Sequence, residues 1–190
     1  MPNSLLLWSA AAVLLFWSVG AYNRLVRLRS EANVAFAGLE LELSQQAQLV
    51  HASLPASLIH TGLTQPGDLL DEVTELWTGL RAAATQLMTA VAAMRPRPLD
   101  PEPAAALSEA RDVLTSAWVR VSQEANDLAG SSIPEGLEQQ WHQLSAQSRS
   151  AAERFNEAVT RYNEAIRQFP ALVLAGLFGF KAARGIRAGT

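Results

Sequence analysis

A chain of 190 residues, 49% apolar and 17% charged, is long enough for one cored domain plus an appendage. Its lack of cysteine excludes disulfides, thiolate metal sites and cysteine nucleophiles. The net charge of −3 is unevenly spread: all 18 acidic residues lie between Glu31 and Glu164, with Arg24, Arg27 and Arg29 before them and Lys181, Arg184 and Arg187 after. An acidic body with basic ends lacks the extended cationic face that nucleic acid requires, whereas basic clusters beside apolar segments suit a membrane surface.

From Leu5 to Ala21 the chain reads LLLWSAAAVLLFWSVGA, seventeen residues without a charge. As a helix that run is roughly 25 Å long, close to a bilayer's hydrocarbon thickness, and Tyr22 and Asn23 extend it into the interface. Trp8 stands near one end and Trp17 with Tyr22 near the other, as an aromatic belt places them. The cations that follow at once, Arg24, Arg27 and Arg29, predict an N-terminus outside and a cytoplasmic body. The competing reading is a signal peptide cleaved near Ser18 and Gly20, which would release the body to the periplasm or the exterior. It conflicts with the missing basic n-region and with the position of the basic cluster.

Beyond Tyr22, Leu25, Leu28, Ala32, Ala35, Leu39, Leu43, Ala47 and Val50 mark one helical face, continuous with the apolar segment. Pro55 and the stretch through Gly62, Pro66 and Gly67 are expected to end it. A second helix is predicted from Asp68, carrying Leu69, Val73, Leu76, Leu80, Ala84, Leu87, Val91 and Met94 on its buried stripe. Residues 95–103, RPRPLDPEP, read as an extended Pro-rich connector. A third helix is predicted over Ala104–Leu128 with Ala106, Ala110, Val113, Ala117, Val121 and Leu128 facing inward, closed by Gly130–Pro134. The fourth carries the cleanest pattern: Leu137, Trp141, Leu144, Ser148, Ala151, Phe155, Ala158, Tyr162, Ala165 and Phe169 alternate spacings of four and three, the heptad of a bundle seam or coiled coil. Pro170 is expected to kink or end it.

These elements predict an all-α fold, an N-terminal transmembrane helix continuing into an antiparallel four-helix bundle of long helices. Residues 1–22 form the anchor, 23–170 the bundle and 171–190 an apolar-basic tail. The tail's uncharged run, Phe169–Phe180, is too short to span a bilayer. It is expected either to lie in the interface, with Lys181, Arg184 and Arg187 on anionic headgroups, or to cap the core.

The stretch YNRLVRLRSEANVAFAGLELEL from Tyr22, with FNEAVTRYNEAIRQFPALVLAGLFGF from Phe155, resembles the two signature ends of the LemA family of bacterial membrane-anchored helical proteins. The resemblance covers the anchor, the first soluble helix and the last helix with its tail. It implies a helical fold and an envelope location, but no reaction. Where the family carries a basic pair and an Asp-Leu-Ile-Pro-Asn-Leu-Val run, this chain has SQQAQLVHASLPASL at Ser44–Leu58, keeping only Leu49, Val50 and Pro55 of that pattern.

Asn23, Asn156 and Asn163 each follow an aromatic residue inside a helical pattern, where asparagine is a mediocre former. Their recurrence suggests side-chain hydrogen bonds fixing the register of the first and last helices; exposure on a wet face is the plain alternative. His51, His60 and His142 lack the spacing of a metal site, and Asp68, Asp71, Glu72 and Glu75 read as a helix-start dipole and solvated face. No Glu-x-x-His pair, phosphate loop or nucleophile elbow occurs. The expectation is a non-catalytic membrane-anchored scaffold or interaction protein, with no cofactor or small-molecule substrate. Its expected partners are the lipid bilayer and other proteins, and its expected site is the bacterial inner membrane.

Overall fold

The computed structural model describes the backbone of residues 2–61, 67–129 and 135–187 and the side chains of residues 7–9, 11–53, 74–124 and 136–187. Five helices follow in order: α1 (Pro2–Thr61), α2 (Gly67–Met94), α3 (Pro101–Ala129), α4 (Glu135–Arg167) and α5 (Ala171–Phe178), with no strand among the described residues. At 1.5 Å per residue the 60 residues of α1 extend about 90 Å. One window of α1, in its N-terminal part, is long and apolar enough to cross a membrane.

The long helices are paired by their apolar stripes. On α1, Leu25, Leu28, Ala32, Phe36, Leu39, Leu43, Ala47 and Val50 are buried, at a mean spacing close to one helical turn. This stripe meets α4 running the opposite way. Arg24 donates to Gln168, Glu31 faces Arg161, Phe36 meets Phe155 edge-on, and Gln46 donates to Ser145, so rising numbers on one helix match falling numbers on the other. α1 also packs on α2, and α2 on α3. Nowhere among the described residues do α3 and α4 approach within 8 Å at their Cα atoms. They meet through the stacked rings of Trp118 and Trp141, 4.3 Å apart.

Three expectations are corrected. α1 continues through Pro55 to Thr61, so the proline, which lacks an N–H to donate to the preceding turn, does not end the helix. The Pro-rich connector is shorter than 95–103: Ala104 N–H bonds Asp100 C=O, and α3 opens at Pro101 with Pro103 in its first turn, where backbone N–H groups have no partner to lose. The buried face of α3 is Ala104, Leu107, Ala110, Leu114, Trp118 and Val121, rotated from the expected one by about one residue. Val113 and Ala106 are exposed and Ala117 is half-buried. Elsewhere the stripes hold, except that Ala35, Leu76 and Leu144 are half-buried and Phe169 is exposed, while Phe36, Trp77 and Ala83 join the core. The side chains of Leu69, Val73, Leu128, Asp68, Asp71, Glu72 and His60, and the breakers Gly62, Pro66 and Gly130–Pro134, lie outside the described residues.

Phe155 is fully buried against Phe36, whereas Val34 on the opposite face of α1 is 70% exposed. Phe155→Ala should lower the stability of the detergent-solubilised full chain by about 3–5 kcal/mol, and Val34→Ala by under about 0.5 kcal/mol. Urea unfolding followed by circular dichroism checks both; equal effects would contradict the assigned face.

Candidate functional site

At one end of the paired α1 and α4 the chain turns back on itself. It turns at Phe169-Pro170, whose peptide bond is cis, and α5 then lies against α1. Phe169 meets Trp17 edge-on at 5.2 Å, while Tyr22 contacts Phe178 at 5.1 Å and Phe180 at 6.1 Å. The helix ends at Gly179, which caps α5 with φ of 70°, a left-handed conformation that glycine adopts without steric cost; Phe180 N–H closes the cap on Ala175 C=O.

From Phe180 the chain runs back along α4 without regular structure, held by side chains. Asn163 donates through Nδ2 to Ala183 C=O and accepts through Oδ1 from Ala183 N–H, both at 2.8 Å. Asn156 does the same with Ile186, at 2.7 and 2.8 Å. The spacing explains the fit: seven residues of helix rise about 10.5 Å, and three residues of extended chain about 10 Å. Each amide thus replaces the partner strand that an isolated extended segment lacks. Between the two clamps sits Gly185, where an added Cβ would stand 2.6 Å from Asn156 Oδ1. Ala183 and Ile186 point into the core.

Tyr162 donates its hydroxyl to Lys181 C=O at 3.1 Å; burial raises its pKa, an effect that Arg29 partly offsets. On the other side, buried Arg111 of α3 donates to Arg187 C=O at 2.7 Å, and Arg187 N–H donates to Ser108 Oγ at 3.2 Å. Burial lowers the pKa of Arg111, Asp112 raises it and Arg149 lowers it further. The C-terminal segment therefore bridges α4 and α3, the neighbours whose backbones stay apart.

The residues expected at a membrane interface separate into two groups. Trp17, Tyr22, Arg24 and Arg29 gather where α5 meets α1, with the Arg29 guanidinium 6.0 Å from the Phe180 ring centre and Arg24 on Gln168. Trp8 is exposed further along α1, Arg27 pairs with Glu31 at 3.6 Å, and Lys181 and Arg184 are exposed. Arg187 is displaced from this group: six extended residues carry it about 20 Å beyond Lys181, where it pairs with Asp112 at 3.4 Å. The asparagine expectation is also corrected, since Asn156 and Asn163 bond the C-terminal backbone and not α1, and Asn23 is exposed. His142 faces Glu138 at 3.8 Å, His51 is half-buried, and no metal-binding cluster of His, Asp or Glu occurs among the described residues. A cleft of about 190 Å³ beside Tyr162 is lined by Arg29, Asn33, Arg97, Asp100 and Lys181. Ser108, Arg111, Asp112 and Gly185 were not singled out by sequence.

An all-helical body among the described residues, a long helix with an apolar N-terminal part and a backbone-clamped C-terminal segment define a class of helical protein with one candidate membrane-spanning segment. A sequence model of the LemA family matches residues 56–188, and the chain belongs to that family. The matched region takes in α2, α3, α4 and both asparagine clamps, while the motif from Tyr22 to Leu43 lies before it. No curated protein and no solved structure matches the chain.

Removing the Asn163 amide deletes two hydrogen bonds worth about 1 kcal/mol each, so Asn163→Ala should speed exchange of the Ala183 amide roughly 30-fold. Hydrogen-exchange mass spectrometry reads this directly; unchanged protection of residues 181–187 would contradict the clamp. The Tyr162 phenol contributes stability that is complete below the ordinary tyrosine pKa of about 10 and is lost as pH rises through its higher folded value. The tyrosinate absorbance of the native chain minus that of Tyr162→Phe should titrate above that pH, and a midpoint at or below it contradicts the burial assignment.

Proposed function

We propose that this LemA-family protein is a non-catalytic, membrane-anchored helical scaffold. Residues 1–22 span the inner membrane with the N-terminus outside. The four long helices form an antiparallel bundle that presents its acidic surface to protein partners in the cytoplasm. One observation carries the reading: along a single unbroken helix, Leu7, Val13, Leu14, Leu15, Phe16 and Val19 are all exposed, whereas from Leu25 onward the apolar residues concentrate on one buried stripe and Arg27, Arg29, Glu31, Asn33, Gln45 and Gln48 stand exposed around it. An all-round apolar surface suits lipid, and a striped one suits a water-facing bundle. Arg24, Arg27 and Arg29 at the change of pattern favour the cytoplasmic side. The non-catalytic reading is supported by the buried polar groups themselves, since Asn156, Asn163, Tyr162, Arg111 and Ser108 are engaged with the chain's own backbone.

The full chain should sediment with membranes, resist alkaline carbonate and keep residues 1–20 in its mature mass. A fluorescent reporter fused after Thr190 should be active and a phosphatase reporter silent. A soluble product beginning after Gly20, with the phosphatase active, would establish the exported reading instead.

A further inference from the structure

α5 is built the wrong way round for a helix packed on a water-facing protein. Its small residues Ala171 and Ala175 are the buried ones, at 7% and 6% exposure, while Leu172, Val173, Leu177 and Phe178 are exposed by 56% to 77%. A surface helix normally turns its large apolar side chains inward. Contiguous exposed apolar surface of this kind marks a site that something covers.

We propose that α5 is a second membrane element, an interfacial helix that lies in the bilayer beside the α1 span with Lys181 and Arg184 at the headgroups. The inference rests on the reading of residues 1–22 as the span and extends it. Its position is the first argument. Phe169 touches Trp17 and Phe178 touches Tyr22, so α5 lies alongside the last turn of the apolar run, at the level of the exposed Trp17 and Val19. Whatever surrounds α1 at that level surrounds the exposed face of α5 too. The second argument is backbone chemistry, which separates lipid from water. Leu172 N–H bonds Gln168 C=O, Val173 and Leu174 N–H bond Pro170 C=O, and Phe180 N–H bonds Ala175 C=O, so three of the opening amides and one closing carbonyl are paired. Pro170 itself has no N–H to satisfy. Entry into lipid penalises unpaired backbone groups most, and α5 has arranged partners for them. Charge supplies the third argument. No ionisable residue lies between Arg167 and Lys181, and exposed Lys181 and Arg184 follow directly, where anionic headgroups would attract them. Eight residues rise about 12 Å, too little to span, so the helix lies in the interface.

The absence of cysteine makes single-site labelling direct. An environment-sensitive fluorophore is attached to Leu172→Cys, Leu177→Cys, Leu14→Cys and Leu41→Cys of the full chain, reconstituted in phosphatidylcholine–phosphatidylglycerol vesicles. Leu41 is an exposed leucine on α1, nineteen residues past Tyr22 and so about 28 Å along the helix. Labels at 172 and 177 should be blue-shifted and quenched severalfold more by nitroxide lipids than by aqueous iodide, with the reverse at 41. This pattern should persist as the protein is diluted in lipid. Iodide-accessible labels at 172 and 177 overturn the proposal, as does protection that disappears on dilution, which would identify a second copy as the cover. The label at 14 separates the two readings. If it reports lipid while 172 and 177 report water, only the α5 proposal fails; if 14 also reports water, the span itself is wrong.

Discussion

A helix of 60 residues with no break at Gly20 or Gly38 carries one geometry through two surface chemistries, and the other elements are placed by where that change occurs. Between Leu7 and Val19 large apolar side chains of α1 stand exposed on every side; from Leu25 the buried ones follow a single stripe. Because a helix transmits its phase rigidly, the stripe fixes which side α4 must occupy, and the pairings from Arg24–Gln168 to Gln46–Ser145 keep that phase over six turns. α2 takes the adjoining side and α3 the far side of α2. The end of α4 is thereby brought level with the start of the stripe, and α5 has nowhere to turn except beside the apolar run.

This arrangement leaves an imbalance between α3 and α4. Two tryptophan rings bridge them at one level, and the C-terminal segment bridges them at another. That segment has neither helix nor sheet to pair its backbone, so burying it requires side chains that supply a donor and an acceptor together. Asparagine alone among the short residues does so with one planar group, and tilting two of them by two helical turns matches the rise of extended chain. The recurrence of asparagine on a helix that pays in propensity for each one thus has a backbone-pairing cause.

The strongest periodicities were legible in the chain itself. The stripes of α1, α2 and α4 could be read because leucine, phenylalanine and tryptophan recur there against polar neighbours. On alanine-rich α3 two apolar stripes lie about 70° apart, sharing Ala110 and Val121, and only the bulk of Leu107, Leu114 and Trp118 selects the buried one. The prolines misled in opposite ways. Pro55 marked a break that a long helix absorbs, and Pro101 and Pro103 marked a connector where the first turn of α3 welcomes them. Asn156 and Asn163 stood out in sequence, but their partners did not. An extended segment has no period to detect, and nothing local to Ala183 or Ile186 announces that an amide two turns up another helix will meet it.

The C-terminal clamp also sets an order of assembly. α2 and α3 are joined by a tight connector and can pair as soon as both exist, a local event with little chain to close. α1 must wait for α4, since Arg24 and Gln168 are 144 residues apart. The seam between α3 and α4 waits longest, because Ser108 and Arg111 find Arg187 only across 79 and 76 residues. During synthesis α1 is made before α4, and the side of its stripe that α4 covers stands open until residues 135–167 follow. A helix already seated in a bilayer would keep that stripe at a fixed place and angle, turning a search through solution into a docking against a surface.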